Sequence, residues 1–152
     1  MDNLTQVQEF LSEIYTINWG GCGISALAMY RWLKDNNKLV GDERFVYLYV
    51  LSDTNYHTNE SVLAKIKFNP RRKKKLGSAS HVMLYHNGQL HDSNGSFVPD
   101  RYIRKHDHIS EKHLIESLNF GSWNCDFERE TYIPSISTVL NVDLSDVNFA
   151  HA

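Results

Sequence analysis

The chain has 152 residues, which suits one compact domain, and a hydrophobic fraction of 41% with a charged fraction of 22% excludes a disordered protein. A formal net charge of -2 gives no overall reason to expect a nucleic-acid or membrane partner.

Two helices are predicted in the first 35 residues. Asp2 or Asn3 can cap the first helix. Its inward face is predicted from helical spacing to carry Leu4, Val7, Gln8 and Leu11. A glycine-dense turn, residues 18–23, comes next, and the second helix is predicted over residues 24–34.

Residues 44–51 are aromatic and branched, which predicts a buried strand, whereas residues 61–68 fit a strand or a helix. Residues 81–92 form the strongest β pattern, because Asn87-Gly88 between two strand-like runs is typical of a tight hairpin. A helix over 110–118 with Ser110 as N-cap and a strand over 137–142 complete one predicted α+β domain, residues 1–152.

Cys22 lies between glycines at the start of the second predicted helix. The N–H groups and dipole of a helix start favour a thiolate and can also stabilise an oxyanion beside the sulfur. Gly20, Gly21 and Gly23 allow a tight turn and a close approach by substrate. The alternative for Cys22 alone is a buried structural cysteine.

The hairpin register predicts a partner for that thiol. A two-residue loop at Asn87-Gly88 pairs His86 with Gln89, Leu84 with His91, Met83 with Asp92 and His81 with Asn94. His81, Asp92 and Asn94 then share one face of the sheet, with Asp92 the diagonal neighbour of His81. His86 and His91 point to the opposite face. An imidazole beside a carboxylate is the layout of a general base and its orienting group, although an ordinary polar cross-strand pair is the alternative.

The pattern resembles the papain-like superfamily. The resemblance rests on Gly21-Cys22-Gly23 with Ala26 to Met29 behind it, on the strand that begins at His81, and on Asp92-Ser93 after the hairpin. Within the superfamily it is similar to transglutaminase-like and bacteriocin-leader-processing cysteine peptidases. The resemblance implies a papain-like fold, with an N-terminal helix carrying the Cys packed on an antiparallel sheet carrying the His and Asp.

The resemblance also implies Cys22 as nucleophile, His81 as general base and Asp92 as orienter. Papain has a glutamine oxyanion donor six residues before its cysteine, where this chain has Thr16. Asn18 is a possible substitute, Gly21 belongs to the oxyanion turn, and Trp19 is predicted to line the acyl pocket. Papain's orienter is an asparagine, so Asn94 is a second candidate for that role.

These residues predict a cysteine peptidase or amidase that acts on a peptide or protein through a thioester. An acyltransferase or transglutaminase with the same residues, and a non-catalytic binding protein on the same scaffold, are the alternatives. No cofactor or metal is predicted, because the spacing of His106, His108 and His113 matches no standard zinc site.

A basic run is the only indication of a nucleic-acid partner. It consists of Arg71, Arg72, Lys73, Lys74 and Lys75. A solvated loop is the commoner outcome for so short a run, although its position before His81 suits the border of a cleft.

The two cysteines, Cys22 and Cys125, are too few for a disulfide-stapled secreted domain, so reduced thiols are the simpler interpretation. Residues 1–13 lack the basic start and apolar stretch of a signal peptide, and no run of 18 apolar residues exists. We therefore predict a cytoplasmic protein of the size of a phage or bacterial accessory protein. A virion-associated or host-delivered protein would have the same features.

Overall fold

A computed structural model describes residues 1–15, 17, 21–48, 81–97, 108–119 and 129–147. In these ranges the architecture is α+β, as predicted. The helices are α1 (Leu4–Ser12), α2 (Cys22–Asp35), α3 (Glu111–Asn119) and α4 (Arg129–Leu140). The strands are β1 (Arg44–Leu48), β2 (His81–His86), β3 (Gln89–Asp92), β4 (Gly95–Phe97) and β5 (His108–Ile109).

The five strands form one sheet in the order β4-β3-β2-β1-β5, and every paired neighbour is antiparallel. The predicted hairpin is confirmed, with His86 opposite Gln89 and Leu84 opposite His91. Its turn residues Asn87 and Gly88 have φ angles of 51° and 76°, the positive values that a two-residue loop of this kind requires.

The predicted helices are confirmed within a residue or two at each end. The Asn3 side chain caps α1 by accepting a hydrogen bond from the Gln6 amide at 2.9 Å. The Ser110 hydroxyl caps α3 by accepting one from the His113 amide at 3.1 Å. Both caps satisfy N–H groups that a helix start leaves without an intrahelical partner.

The strand predicted over residues 137–142 is wrong, because α4 continues to Leu140. Ile133, Ile136 and Leu140 are buried at helical spacing on one face of α4. Asn141 then ends the helix at a φ of 53°, and the Val142 amide donates to the Ser137 carbonyl at 3.1 Å. This is a Schellman ending, and β-branched residues near it explain the mistaken strand.

The sheet is buried on both faces. Phe45, Tyr47, Val82 and Leu84 belong to the core shared with α2, and the alternate residues Val46, Met83 and Leu90 are also fully buried. A strand with apolar residues on both faces reads as a continuous apolar run, as in residues 45–48 and 82–85. Each such side chain contributes about 1.5–3 kcal/mol of burial free energy, which makes this sheet a rigid support for the residues at its ends.

The structure gives a reason for a glycine at position 23 that differs from the predicted one. A Cβ at this position would lie 2.8 Å from Cδ2 of Leu118 and 3.5 Å from Cδ1 of Leu114. The missing side chain therefore lets α3 pack directly against the first turn of α2.

Several predicted segments lie outside the described residues. These are Asn18, Trp19 and Gly20, the ambiguous segment 61–68, the basic run 71–75, His106 and Cys125. Among the described helices none is long and apolar enough to cross a membrane, and α2, the longest of them, has 14 residues.

Candidate active site

Cys22 is the first residue of α2 and a free thiol, with 3% of its surface exposed. Gly21 is the N-cap and provides no side-chain hydrogen bond to the helix start, while its carbonyl accepts from the Ser25 amide at 2.8 Å. Gly21 therefore has no side chain that could cap the N–H groups of the first turn, beside Cys22. A helix start of this kind favours negative charge.

The side chains of His81 and Asp92 meet at the ends of β2 and β3. Nε2 of His81 lies 2.9 Å from Oδ2 of Asp92, and both residues are about 5% exposed or less. A carboxylate can only accept a hydrogen bond, so Nε2 must carry the proton. Asp92 therefore determines which ring nitrogen carries hydrogen.

The second oxygen of Asp92 is engaged by its own turn. Oδ1 accepts hydrogen bonds from the backbone amides of Asn94, at 2.8 Å, and Gly95, at 3.1 Å. These two bonds orient the carboxylate so that Oδ2 is presented to His81. The turn between β3 and β4 thus aligns the candidate orienting group.

Asn94 does not lie opposite His81, so that part of the predicted register is wrong. The β2–β3 pairs run from Gln89 to His91, and Asp92 instead pairs with Gly95 across a second tight turn. Asn94 lies in this turn, has an exposed side chain, and contributes its backbone amide to Asp92. The candidate orienter beside His81 is therefore Asp92 rather than Asn94.

Cys22 lies close enough to His81 to favour the charged form of the ring. Because Nε2 faces Asp92, Nδ1 is the ring nitrogen left for the thiol. Burial opposes the charged ring, but the hydrogen bonds to Asp92 and Cys22 and the negative charges of both raise the pKa of His81 to about 10. The arrangement therefore supports an imidazolium at neutral pH.

Tyr47 borders the same thiol from β1. Burial, together with the charge of Cys22, raises the pKa of the Tyr47 hydroxyl, while a hydrogen bond with Ser117 acts in the opposite direction. The Tyr47 ring also packs edge-on against His113 of α3, with 6.3 Å between ring centroids. Sequence patterns did not mark Tyr47, because no local pattern relates a residue of β1 to Cys22.

The trio of Cys22, His81 and Asp92 is not arranged as a metal site. Among the described residues, the only group of three or more His, Cys, Asp or Glu ligand atoms that converge within 4.8 Å is that of Asp42, Glu43 and His86. Asp92 instead engages Nε2 of His81 and leaves Nδ1 for another partner, and a carboxylate in this position fixes the tautomer of the ring without taking its proton.

The convergent group of Asp42, Glu43 and His86 holds backbone turns together. Asp42 accepts from the amides of Asn87 and Gly88, at 3.0 and 3.1 Å. Glu43 accepts from the amides of Val40 and Gly41, both at 2.8 Å, and from Nδ1 of His86 at 2.5 Å. Although burial opposes it, these bonds lower the pKa of Glu43. Because its carboxylates are already engaged, the group is a structural one.

Gln8 is a site residue that the sequence marked only as a polar residue on the inward face of α1. Its side chain is 5% exposed and contacts the β3–β4 turn that carries Asp92. A buried amide on an apolar helix face must find hydrogen-bond partners, which is the signal that could have identified it.

Two surface cavities lie away from these residues. One, of about 330 Å³, is lined by α4 and the segment that follows it, and the other, of about 260 Å³, lies around Arg31 and Asp146. Neither is lined by Cys22, His81 or Asp92.

A scan against protein-family models finds no family that matches the chain, and searches of curated proteins and of solved structures find no match either. Any functional proposal for this chain therefore depends on the geometry of Cys22, His81 and Asp92.

Proposed function

We propose that the chain is a cysteine-nucleophile hydrolase, a peptidase or amidase with a papain-like arrangement of Cys22, His81 and Asp92. One observation carries the proposal: the buried His81 ring is hydrogen-bonded to the Asp92 carboxylate, and its raised pKa reflects both that carboxylate and the free thiol of Cys22 at a helix start. Burying a charge pair costs several kcal/mol of desolvation free energy. A buried charge pair is therefore more readily retained where its charges have a function.

The first half-reaction begins with the thiolate of Cys22 and the imidazolium of His81. The sulfur attacks the substrate carbonyl carbon, a C–S bond forms, and the π electrons move to oxygen as an oxyanion. When the oxyanion collapses, the C–N bond breaks and His81 gives its proton to the departing amine. The products are an amine and a thioester on Cys22.

The second half-reaction returns the enzyme to its starting state. The now neutral His81 takes a proton from water while the water oxygen attacks the thioester carbon. Collapse of this second oxyanion breaks the C–S bond, which releases the acid and restores the thiolate beside the imidazolium. Asp92 stabilises the charged ring in both halves without accepting the proton.

The uncapped start of α2 is the source of oxyanion stabilisation in this proposal. Its amide N–H groups lie next to Cys22 and are not capped by a side chain of Gly21. Asn18 remains a sequence-based candidate for a second donor, and Trp19 for a wall of the acyl pocket. An amine in place of water would make the same residues an acyltransferase.

A small activated ester tests the proposal without knowledge of the natural substrate. In a Cys125→Ser background, p-nitrophenyl acetate is expected to give a burst of one p-nitrophenolate per chain, followed by slower turnover. Cys22→Ser should abolish the burst, and His81→Ala should slow it by roughly 10²- to 10⁴-fold. Adding a primary amine then separates transfer from hydrolysis.

His108→Ala is the control, because this half-buried histidine of β5 packs against Tyr85 of β2, with 6.4 Å between ring centroids. It should leave the burst unchanged. A burst that survives Cys22→Ser, or one that is absent from the unsubstituted site, contradicts catalysis by this thiol and favours the binding-protein alternative.

A further inference from the structure

We propose that Gln8 is a positioning residue that holds the β3–β4 turn, and with it the Asp92 carboxylate, against His81. The inference rests on the proposed function, because it assigns a role within the same site. Gln8 connects α1 to a turn more than 80 residues away in the chain, and no local sequence pattern predicts this connection.

The Gln8 amide is surrounded by acceptors of the turn. Nε2 lies 3.0 Å from the Asp92 carbonyl oxygen, 2.9 Å from the Gly95 carbonyl oxygen and 3.1 Å from Oγ of Ser96. Two N–H groups thus serve three acceptors on both sides of the turn. Gln8 thus holds the turn from outside at Asp92, Gly95 and Ser96, while the amides of Asn94 and Gly95 orient the Asp92 carboxylate from inside.

The orientation of the amide follows from chemistry. Both carbonyl oxygens are acceptors only, so the nitrogen and not the oxygen of the Gln8 amide must face them. A reversed amide would place three oxygens together in a nearly buried site, which costs free energy. An apolar side chain at position 8 would leave two carbonyls of the turn without these donors.

Ser96 extends the clamp to a second histidine. Nε2 of His91 lies 3.0 Å from the His86 carbonyl, an acceptor, so Nε2 of the neutral ring carries the proton. Nδ1 then accepts from the Ser96 hydroxyl at 2.7 Å, and Oγ of Ser96 accepts from Gln8. Burial, as the largest effect, lowers the pKa of His91, which favours this neutral form. The bonds therefore run in one direction, from Gln8 through Ser96 and His91 to β2.

The experiment is an NMR titration of the His81 imidazole combined with the rate of Cys22 acylation. Gln8→Met keeps side-chain length and helix propensity but removes both donors. It is expected to lower the His81 pKa by about one unit, since a displaced carboxylate stabilises the imidazolium less. It should also slow acylation by p-nitrophenyl acetate roughly ten- to hundredfold, the usual cost of losing such support.

Gln6→Met is the matched control, because it makes the same change on an exposed side of the same helix. It should leave both readouts unchanged. Ser96→Ala removes one of the three acceptors of the Gln8 amide, at an exposed residue, and should also lower the His81 pKa. It therefore decides the question if Gln8→Met does not fold.

An unchanged His81 pKa in Gln8→Met, or in Ser96→Ala where that variant decides, overturns the inference while leaving the proposed function intact. Equal shifts in Gln6→Met and Gln8→Met also overturn it, because the effect would then belong to the helix as a whole. A His81 that titrates near 6.5 in the unsubstituted protein contradicts the proposed function itself.

Discussion

His81 is held between two groups that both favour its charged form. Burial alone would lower the pKa of an imidazole, but the hydrogen bonds and charges of Asp92 and Cys22 outweigh burial and raise it to about 10. The protonated ring is therefore the dominant form below that pH and is lost as pH rises through it. In the proposed mechanism this form donates the proton to the leaving group, so acylation of Cys22 by an amide should decline near pH 10.

Asp92→Asn tests the orienting role by replacing one carboxylate oxygen with an NH₂ group. The Asn carbonyl oxygen can replace Oδ1 in the turn, which places its NH₂ group against Nε2 of His81. Nε2 must then accept, so the proton of the neutral ring moves to Nδ1, the side that faces Cys22. We expect the acylation rate to fall by on the order of 10³- to 10⁴-fold and its alkaline limb to move to lower pH, measured from pH 5 to 10.5.

Asp42→Asn is the matched control, because Asp42 also accepts two backbone amides of a turn but faces no reacting group. A pH profile of Asp92→Asn that overlays that of Asp42→Asn would show that the Asp92 charge has no part in setting the His81 proton.

At the scale of elements, the start of α2 is positioned by its contact with α3. Leu118 and Leu114 of α3 pack where a side chain at residue 23 would lie, so the two helices approach closely beside Cys22. Because Leu118 is fully buried, it has little room to move aside. The glycine after Cys22 is thus required by packing.

A double-mutant cycle measures this contact. Gly23→Ala gains up to about 1 kcal/mol of helix propensity but should lose roughly 1–3 kcal/mol to overpacking, for a net loss of stability. Leu118→Ala alone should cost about 2–5 kcal/mol. In the double variant the clash is absent. Its free energy of unfolding, measured by urea denaturation, should therefore exceed the value expected from adding the two single-variant effects by about 1 kcal/mol.

Gly41→Ala provides the control cycle, since its cost comes from a φ of 98° and, among the described residues beyond its chain neighbours, no atom lies within 4 Å of the added Cβ. It should be additive with Leu118→Ala. Additivity of Gly23→Ala with Leu118→Ala would mean that the α2–α3 contact does not require a glycine.

Elements with strong local signals were predictable from the sequence. The β2–β3 hairpin follows from Asn87-Gly88, and α1 and α3 follow from their capping residues and apolar spacing. β4 and β5 have three and two residues, too few for any period, and they form because β3 and β1 offer an edge to pair with. The second turn, at Ser93 and Asn94, changed the register that the sequence predicted for Asn94.

For the whole molecule, the connections that join distant segments could not be read from the sequence. Arg31 of α2 forms a two-pronged ion pair with Asp146, at 2.6 and 2.7 Å, and donates to the Asp143 carbonyl at 2.7 Å. Gln8 joins α1 to the β3–β4 turn in the same manner. The chain order of Cys22, His81 and Asp92 suggested a shared site, but the residue that clamps Asp92 depends on how α1 packs against the sheet.

The central claim is that the Cys22 sulfur and the His81 imidazole share a proton, and the most direct measurement is the NMR titration of the His81 ring with and without that sulfur. In a Cys125→Ser background, His81 should remain protonated through pH 8 and lose its proton near pH 10. In Cys22→Ser, which removes the sulfur that helps to raise the His81 pKa, that pKa should fall by at least about one unit. A His81 pKa that is the same in both proteins would contradict the account.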